Sequence, residues 1–150
     1  MTIVILRFLS IVLTGIIAGI VLGIWLGYNP ATFTYTTFVE SQQGAIRGLN
    51  ILMPLLGLLA ILCTVASALL HRSNKTTFSV LIMAAILLIS SGLITRFGNQ
   101  PINAIVMTWT VNDSPGDWTQ LRERWWLFHQ IRTLAMLAAF CLIAWTVVRK

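Results

Sequence analysis

Residues 123–140 read ERWWLFHQIRTLAMLAAF. The second half is suited to hydrocarbon, yet His129, Arg132 and Thr133 fall three and four residues apart and so share one helix face. Such a segment is either the core of a soluble bundle or a membrane span with a polar side. Composition decides between them. Of 150 residues, 57% are apolar and 9% are charged, against about 25% charged in an ordinary soluble domain. A chain so poor in charge could not cover its own surface in water. The reading is an integral membrane protein.

Working outward from that stretch, four segments reach the roughly 20 apolar residues that a membrane helix needs. They run from about Ile3 to Gly27, Ile46 to Leu70, Phe78 to Thr95 and Trp126 to Val148. The first is too long in its apolar part for a cleaved signal peptide, and no small-residue cleavage site follows it. The expected fold is all-α, a four-span bundle formed by residues 1–150 as one domain. Positive charge orients it. Arg7, Arg72, Lys75, Arg149 and Lys150 fall on one side without an acidic residue. On the other side, Arg47, Arg96, Arg122 and Arg124 are balanced by Glu40, Asp113, Asp117 and Glu123. Both termini are therefore expected in the cytoplasm, in an inner or plasma membrane, with loops 28–45 and 96–125 facing outward. Trp25 and Tyr28 are assigned to the outer aromatic belt and Trp145 to the inner one.

Other features bound the function. The net charge of +6 is scattered, with no basic stripe to meet a nucleic acid. Cys63 and Cys141 both lie in apolar runs, which predicts buried, unpaired thiols rather than a disulfide framework or thiolate metal site. Gly15, Gly19, Gly23 and Gly27 form a stripe on the first span. Such a stripe lets a second backbone approach, within the bundle or in a homo-oligomer. Before the fourth span, SPGDWTQL can start a helix with Ser114 or Asp117 as cap. From there the helix would exceed the hydrocarbon thickness and project outward.

The polar residues gather at one depth. Gln43, Arg47 and Asn50 open the second span; Thr95, Arg96, Asn99, Gln100 and Asn103 close the third; His129, Arg132 and Thr133 mark the fourth. All fall toward the outer end, while the inner half is nearly uniformly apolar. An arginine facing hydrocarbon costs about 2.5–3.5 kcal/mol even on the lenient scale. Arg132 is therefore expected to face a cavity that opens outward. Simpler roles fit the same residue types. Arginines can snorkel to head groups, Asn50, Asn99 and Asn103 can cap or bridge helices, and Trp109, Trp118, Trp125 and Trp126 can be interfacial anchors.

Within such a cavity a neutral His129 can serve as general base. Arg132, with Arg47 or Arg96, can stabilise an anion. Asn50, Asn99, Asn103 and Thr133 can hydrogen-bond its oxygens, and Trp109 and Trp125 can stack on a flat ring. This chemistry suits proton removal from an acidic carbon or phenol, and no cofactor is expected. A metal site wants about three ligands. His129 and Glu40, with Asp113 or Asp117, could reach that number for iron or copper only if the loops fold inward. His71 and His129 lie near opposite faces, too far apart to share a haem. No phosphate loop, nucleophile elbow or Cys–His pair is visible.

The blocks FVESQQGAIRGLNILMP, GLITRFGNQPINAIVMTW and WWLFHQIRT, with YNP at Tyr28–Pro30, carry a resemblance to a known family. The chain resembles the small four-helix membrane proteins of the anthrone oxygenase-like family. The most specific matches are NxPxN at Asn99, Pro101 and Asn103, and HxxRT at His129, Arg132 and Thr133. Phe128 stands where many members have asparagine. The resemblance implies oxidation of a polyphenolic anthrone to its quinone by dioxygen, without an organic cofactor. The expectation is thus a membrane oxygenase or oxidoreductase drawing a small hydrophobic aromatic substrate from the bilayer. The rival is a non-catalytic module that binds lipid or a small molecule, or serves a partner subunit. A proton-coupled exporter fits less well, because no Asp or Glu lies within a span.

Overall fold

The computed structural model describes residues 2–149. Lys150, part of the charge argument above, lies outside them. The elements in order are α1 (Thr2–Gly27), a 3-10 turn (Pro30–Thr32), α2 (Tyr35–Leu49), α3 (Leu52–Leu70), α4 (Lys75–Ile94), a π-helical turn (Thr95–Asn99), α5 (Gln100–Val106) and α6 (Trp118–Val148). Among the described residues four stretches are long and apolar enough to cross a membrane: Thr2–Thr32, Leu52–Leu70, Lys75–Val106 and Trp118–Val148. α1 packs on α3 and α6, and α4 packs on the same two helices. The result is a four-helix membrane bundle.

The bundle is packed as membrane helices are. Lipid tails are as apolar as leucine, so close backbone approach rather than the hydrophobic effect holds the helices together. Accordingly the interior holds small residues, among them Ala18, Ala60, Ala84 and Ala139, while Leu58, Leu62, Leu69 and Leu134 are exposed on the outside. Buried hydroxyls turn back on their own helices: Thr14 donates to the Ser10 carbonyl at 2.6 Å and Thr64 to that of Ala60 at 2.7 Å. In hydrocarbon this satisfies them without a partner helix. Gly15 sits against Phe140, but a side chain at Gly19, Gly23 or Gly27 would meet nothing within 4 Å. Those three glycines are thus not helix contacts within the bundle. Cys63 and Cys141 are both free, but Cys141 is exposed rather than buried, because the apolar run carrying it has a lipid-facing side.

The Arg7 guanidinium donates to the carbonyl of Thr146, which joins the start of α1 to the end of α6. Both termini therefore share one end of the bundle. At the opposite, distal end the boundaries differ from the hydropathy reading. The second span starts at Leu52, not near Ile46, and α2 is a separate helix. Pro54 explains the break: it lacks the N–H that would bond to the Asn50 carbonyl, and it is tolerated only in a first turn. The third span does not end at Thr95 but continues through the π turn into α5. There Gln100 N–H bonds to the Thr95 carbonyl, five residues back. The widened turn accommodates Pro101, whose ring would clash with the carbonyl four residues earlier in a regular α-helix. α6 starts at Trp118 after Asp117, with no side-chain capping bond. Its 31 residues span about 46 Å against roughly 30 Å of hydrocarbon.

An aromatic cluster closes the distal end. Phe38, Ile102, Val106 and Trp125 are buried there beneath Tyr28, Phe33, Trp109, Trp118 and Trp126. Tyr35 ties α2 to the loop before α6, donating to the carbonyls of Thr110 (2.9 Å) and Asp113 (2.8 Å).

Candidate functional site

Below this aromatic layer lies a cavity of about 90 Å³. Its walls come from the end of α1, the inner face of α2, the α2–α3 junction, the π turn with α5, and α6. Asn50, Asn99, Asn103, Trp125 and Arg132 all line it. The polar faces of the second, third and fourth hydrophobic segments thus converge as expected, through five named residues. Five other expected residues do not line it: His129, described below, and Arg47, Arg96, Trp109 and Thr133. Arg47 is exposed and folds back on its own helix, bonding to the carbonyl (3.3 Å) and Oε1 (3.2 Å) of Gln43. Arg96 is exposed and holds Gln100 at 3.1 Å. Trp109 packs against Tyr35 and Phe38 in the aromatic layer. Thr133 is buried behind the cavity and bonds to the His129 carbonyl at 2.7 Å.

A relay of amides shapes one wall. Tyr28 donates to Gln42 Oε1 at 3.1 Å, and Gln42 Nε2 donates to Asn103 Oδ1 at 3.2 Å. The Trp125 indole N–H donates to the same Asn103 oxygen at 2.8 Å. An indole nitrogen can only donate, which fixes the orientation of the Asn103 amide. Asn99 Nδ2 in turn donates to the Trp125 carbonyl at 2.9 Å. Gln42, which is 2% exposed, and Tyr28 escaped the sequence reading. Gln43 drew the attention instead, yet it caps α5 by donating to the carbonyls of Val106 and Trp109, both at 3.0 Å. The signal for Gln42 was present in the helical face Gln42, Ala45, Ile46 and Leu49, all of which line the cavity. Tyr28, assigned to the aromatic belt, belongs to this wall as well.

His129 and Arg132 form the other polar element. Arg132 Nη2 lies 2.9 Å from His129 Nδ1, and Nη1 donates to Thr95 Oγ1 at 3.3 Å. A guanidinium only donates, so Nδ1 must be the acceptor and the imidazole proton sits on Nε2. That nitrogen faces the Val21 carbonyl at 3.1 Å. His129 is 0% exposed and lies nearly parallel to the Trp125 and Trp126 rings, with centroids 5.2 and 5.4 Å away. It is thus the support behind Arg132, which itself lines the cavity.

Two polar atoms around the cavity have no partner. Arg132 Nε and Asn99 Oδ1 are both buried and unpaired, one a donor and the other an acceptor. Buried polar groups are nearly always paired, and Arg7 Nε, Ser67 Oγ and Arg122 Nε elsewhere in the bundle are unpaired as well; these two are the ones on residues that line the cavity. Arg132 also has no carboxylate partner. Among the described residues the ion pair found is Arg122 with exposed Glu123, 3.5 Å apart.

Among the described residues no three His, Cys, Asp or Glu side chains cluster. Glu40 is exposed on α2, whereas the two ring nitrogens of His129 are already engaged.

Fold and site together define an integral-membrane helical bundle with a buried, cationic, amide-lined cavity. The anthrone oxygenase family model matches residues 43–142, and the chain belongs to that family. The match takes in every cavity residue from α2 to α6 except Gln42. Membership points to oxygenase-type chemistry in general terms. Searches of curated proteins and of solved structures found no match.

Proposed function

We propose that this protein is a membrane oxygenase acting on a small hydrophobic aromatic compound that carries an acidic C–H or phenol and a neighbouring hydroxyl. One observation carries the reading: a buried guanidinium without a carboxylate, its Nε unpaired, shares a cavity with the unpaired oxygen of Asn99. An oxyanion answers the first and a hydroxyl answers the second. Hydrogen bonds to an ionised partner are about twice as strong as neutral ones. In a site shielded from water they would stabilise an enolate or phenolate as it forms.

The substrate oxygen would meet Arg132 Nε first and then compete with His129 for Nη2. As the guanidinium turns to the anion, Nδ1 of His129 becomes free to accept the proton. Binding and release of the base would then be one movement. Asn103, its oxygen held by Trp125 and Gln42, keeps its Nδ2 hydrogens for a substrate carbonyl, and Trp125 offers a ring edge to an aromatic system. The resulting carbanion adds dioxygen, and protonation gives a hydroperoxide. Loss of water then leaves a carbonyl where a CH₂ stood. One oxygen atom enters the product and the other leaves as water, so dioxygen accepts all four electrons. This route needs no metal or organic cofactor, and elemental analysis of the purified protein checks that point. The site faces the extracytoplasmic side in this proposal, following the charge distribution of the loops.

Oxygen uptake by the reconstituted protein, with a panel of anthrones and hydroquinones, tests the reading. Arg132→Gln and Asn99→Leu should each abolish stimulated uptake while the variants remain monodisperse. Uptake undiminished in Arg132→Gln would refute it. One observation favours a second reading, a non-catalytic binder of the same compounds: both nitrogens of His129 are engaged without a ligand. Saturable binding without oxygen consumption across the panel would select it.

A further inference from the structure

A second cavity, of about 230 Å³, lies on the bundle side of the first. Val21, Met53, Pro54, Thr95, Gln100 and Arg132 wall both. From that shared rim it runs toward the membrane centre between α3, α4 and α6. Its far end is reached at Ile61, Leu88 and Met136. Thr95 to Leu88 is seven residues, or about 10 Å along the helix. The character changes along that length. Arg132, Thr95, Arg96 and Gln100 line the rim, with Ser91 further in, and the far walls are aliphatic.

Two glycines line this space, Gly57 on α3 and Gly92 on α4, and a side chain at either would meet nothing within 4 Å. Both stand inside helices, where glycine costs about 1 kcal/mol relative to alanine. Leu58 on the same wall is 54% exposed, so the cavity borders the bilayer-facing side of α3.

Resting on the proposed function, we infer that the substrate is a hydroxylated aromatic ring bearing an aliphatic tail, with the ring in the first cavity and the tail in the second. The amides of Gln42, Asn50, Asn99 and Asn103 line the first chamber alone, and Arg132 stands at the rim shared by the two. The adjoining chamber offers apolar walls and no acidic group. A compound without a tail would leave it unfilled. Transfer of the tail from lipid into this chamber is nearly neutral in free energy, because both media are apolar. The chamber therefore selects by shape, and admits the substrate laterally from the bilayer.

The probe is a 4-octylphenol carrying a diazirine at the tail tip, photolysed with the full-length protein in lipid nanodiscs. Labelled peptides are then mapped by mass spectrometry. The inference expects labels at Gly57–Ile61 and Leu88–Gly92. They should be lost in Gly57→Leu/Gly92→Leu, and also in the milder Gly57→Val should the double variant not fold. Untagged phenol should still quench Trp125 in wild type and in these variants, and fail to do so in Arg132→Gln. If phenol quenches Trp125 in an Arg132-dependent way but the tail labels only outward residues such as Leu55 and Leu62, the inference is overturned and the functional reading stands. If neither compound binds, the functional reading fails and takes the inference with it.

Discussion

Gly98 is the position where the fold of the site can be tested most sharply. It lies in the π turn, immediately before Asn99. A methyl group there would sit 2.7 Å from Cγ and 2.9 Å from both Cδ atoms of Phe128. Carbon atoms prefer about 3.5–4.0 Å, so the π turn and α6 would have to part by about 1 Å. Cγ is near the root of its side chain and cannot swing aside without a new rotamer or a backbone shift. Such overpacking costs about 1–3 kcal/mol. Asn99 adds to the loss. Lengthening its 2.9 Å bond to the Trp125 carbonyl by ~1 Å takes it beyond hydrogen-bonding range, a further cost of about 1 kcal/mol. Gly98→Ala should therefore destabilise the protein by about 2–4 kcal/mol in SDS titration followed by tryptophan emission. In a Phe128→Ala background the same substitution should cost close to nothing, which gives a coupling energy of about 2 kcal/mol or more. Equal effects in both backgrounds, or no effect in wild type, would refute the packing argument.

Three further outcomes follow from the same geometry. Asn103→Leu strips the acceptor from two donors, Trp125 Nε1 and Gln42 Nε2, and should cost about 2–6 kcal/mol at about 1–3 for each buried unpaired donor; an unfolding midpoint unchanged from wild type would contradict the relay. Arg132→Met should raise stability, because it removes a charge that no carboxylate compensates, while abolishing anion binding; a clear loss of stability would mean that its bonds to His129 and Thr95 outweigh its desolvation. Tyr35 lies on α2 outside the spans, and desolvation with the Asp113 carboxylate raises its hydroxyl pKa. Its anchor on the loop carbonyls is therefore intact below the ordinary tyrosine value of about 10 and lost as pH rises through the higher folded value. Amide exchange across residues 107–117 should accelerate in that window in wild type and show no such step in Tyr35→Phe.

The fold was largely legible because hydropathy reports burial in lipid directly. Each of the four apolar runs became a span, and the polar faces marked the distal end. The boundaries there were less legible. Ile46 to Leu70 reads as one apolar run, but a proline takes effect through the carbonyl four residues before it, so Pro54 closes a helix at Asn50. The same cause shifted the reading of α2 by one residue. Treated as the start of a span, it pointed to Gln43, Arg47 and Asn50. As a separate amphipathic helix it turns Gln42, Ala45, Ile46 and Leu49 inward. The π turn had a comparable effect on the third segment. A regular helix would place Arg96, Asn99 and Asn103 on one face, whereas the wide turn sends Arg96 outward and keeps both asparagines inside.

The roles of His129 and Arg132 could not be separated by sequence, since spacing says which residues share a face but not which stands in front. An imidazole and a guanidinium three residues apart can each line a cavity. Here the longer side chain reaches it and the shorter one backs it. The order has an electrostatic consequence. His129 supplies a lone pair to a cation that has no carboxylate, and its own proton is fixed by the Val21 carbonyl. The guanidinium is thereby held at two of its three nitrogens, with Nε left unpaired beside the cavity. A neutral partner orients the charge without cancelling it. A carboxylate in place of His129 would stabilise the apoprotein more and leave less attraction for an incoming anion. The bare cation costs stability where the bilayer makes charge expensive, and the anion of the proposed reaction would offset that cost.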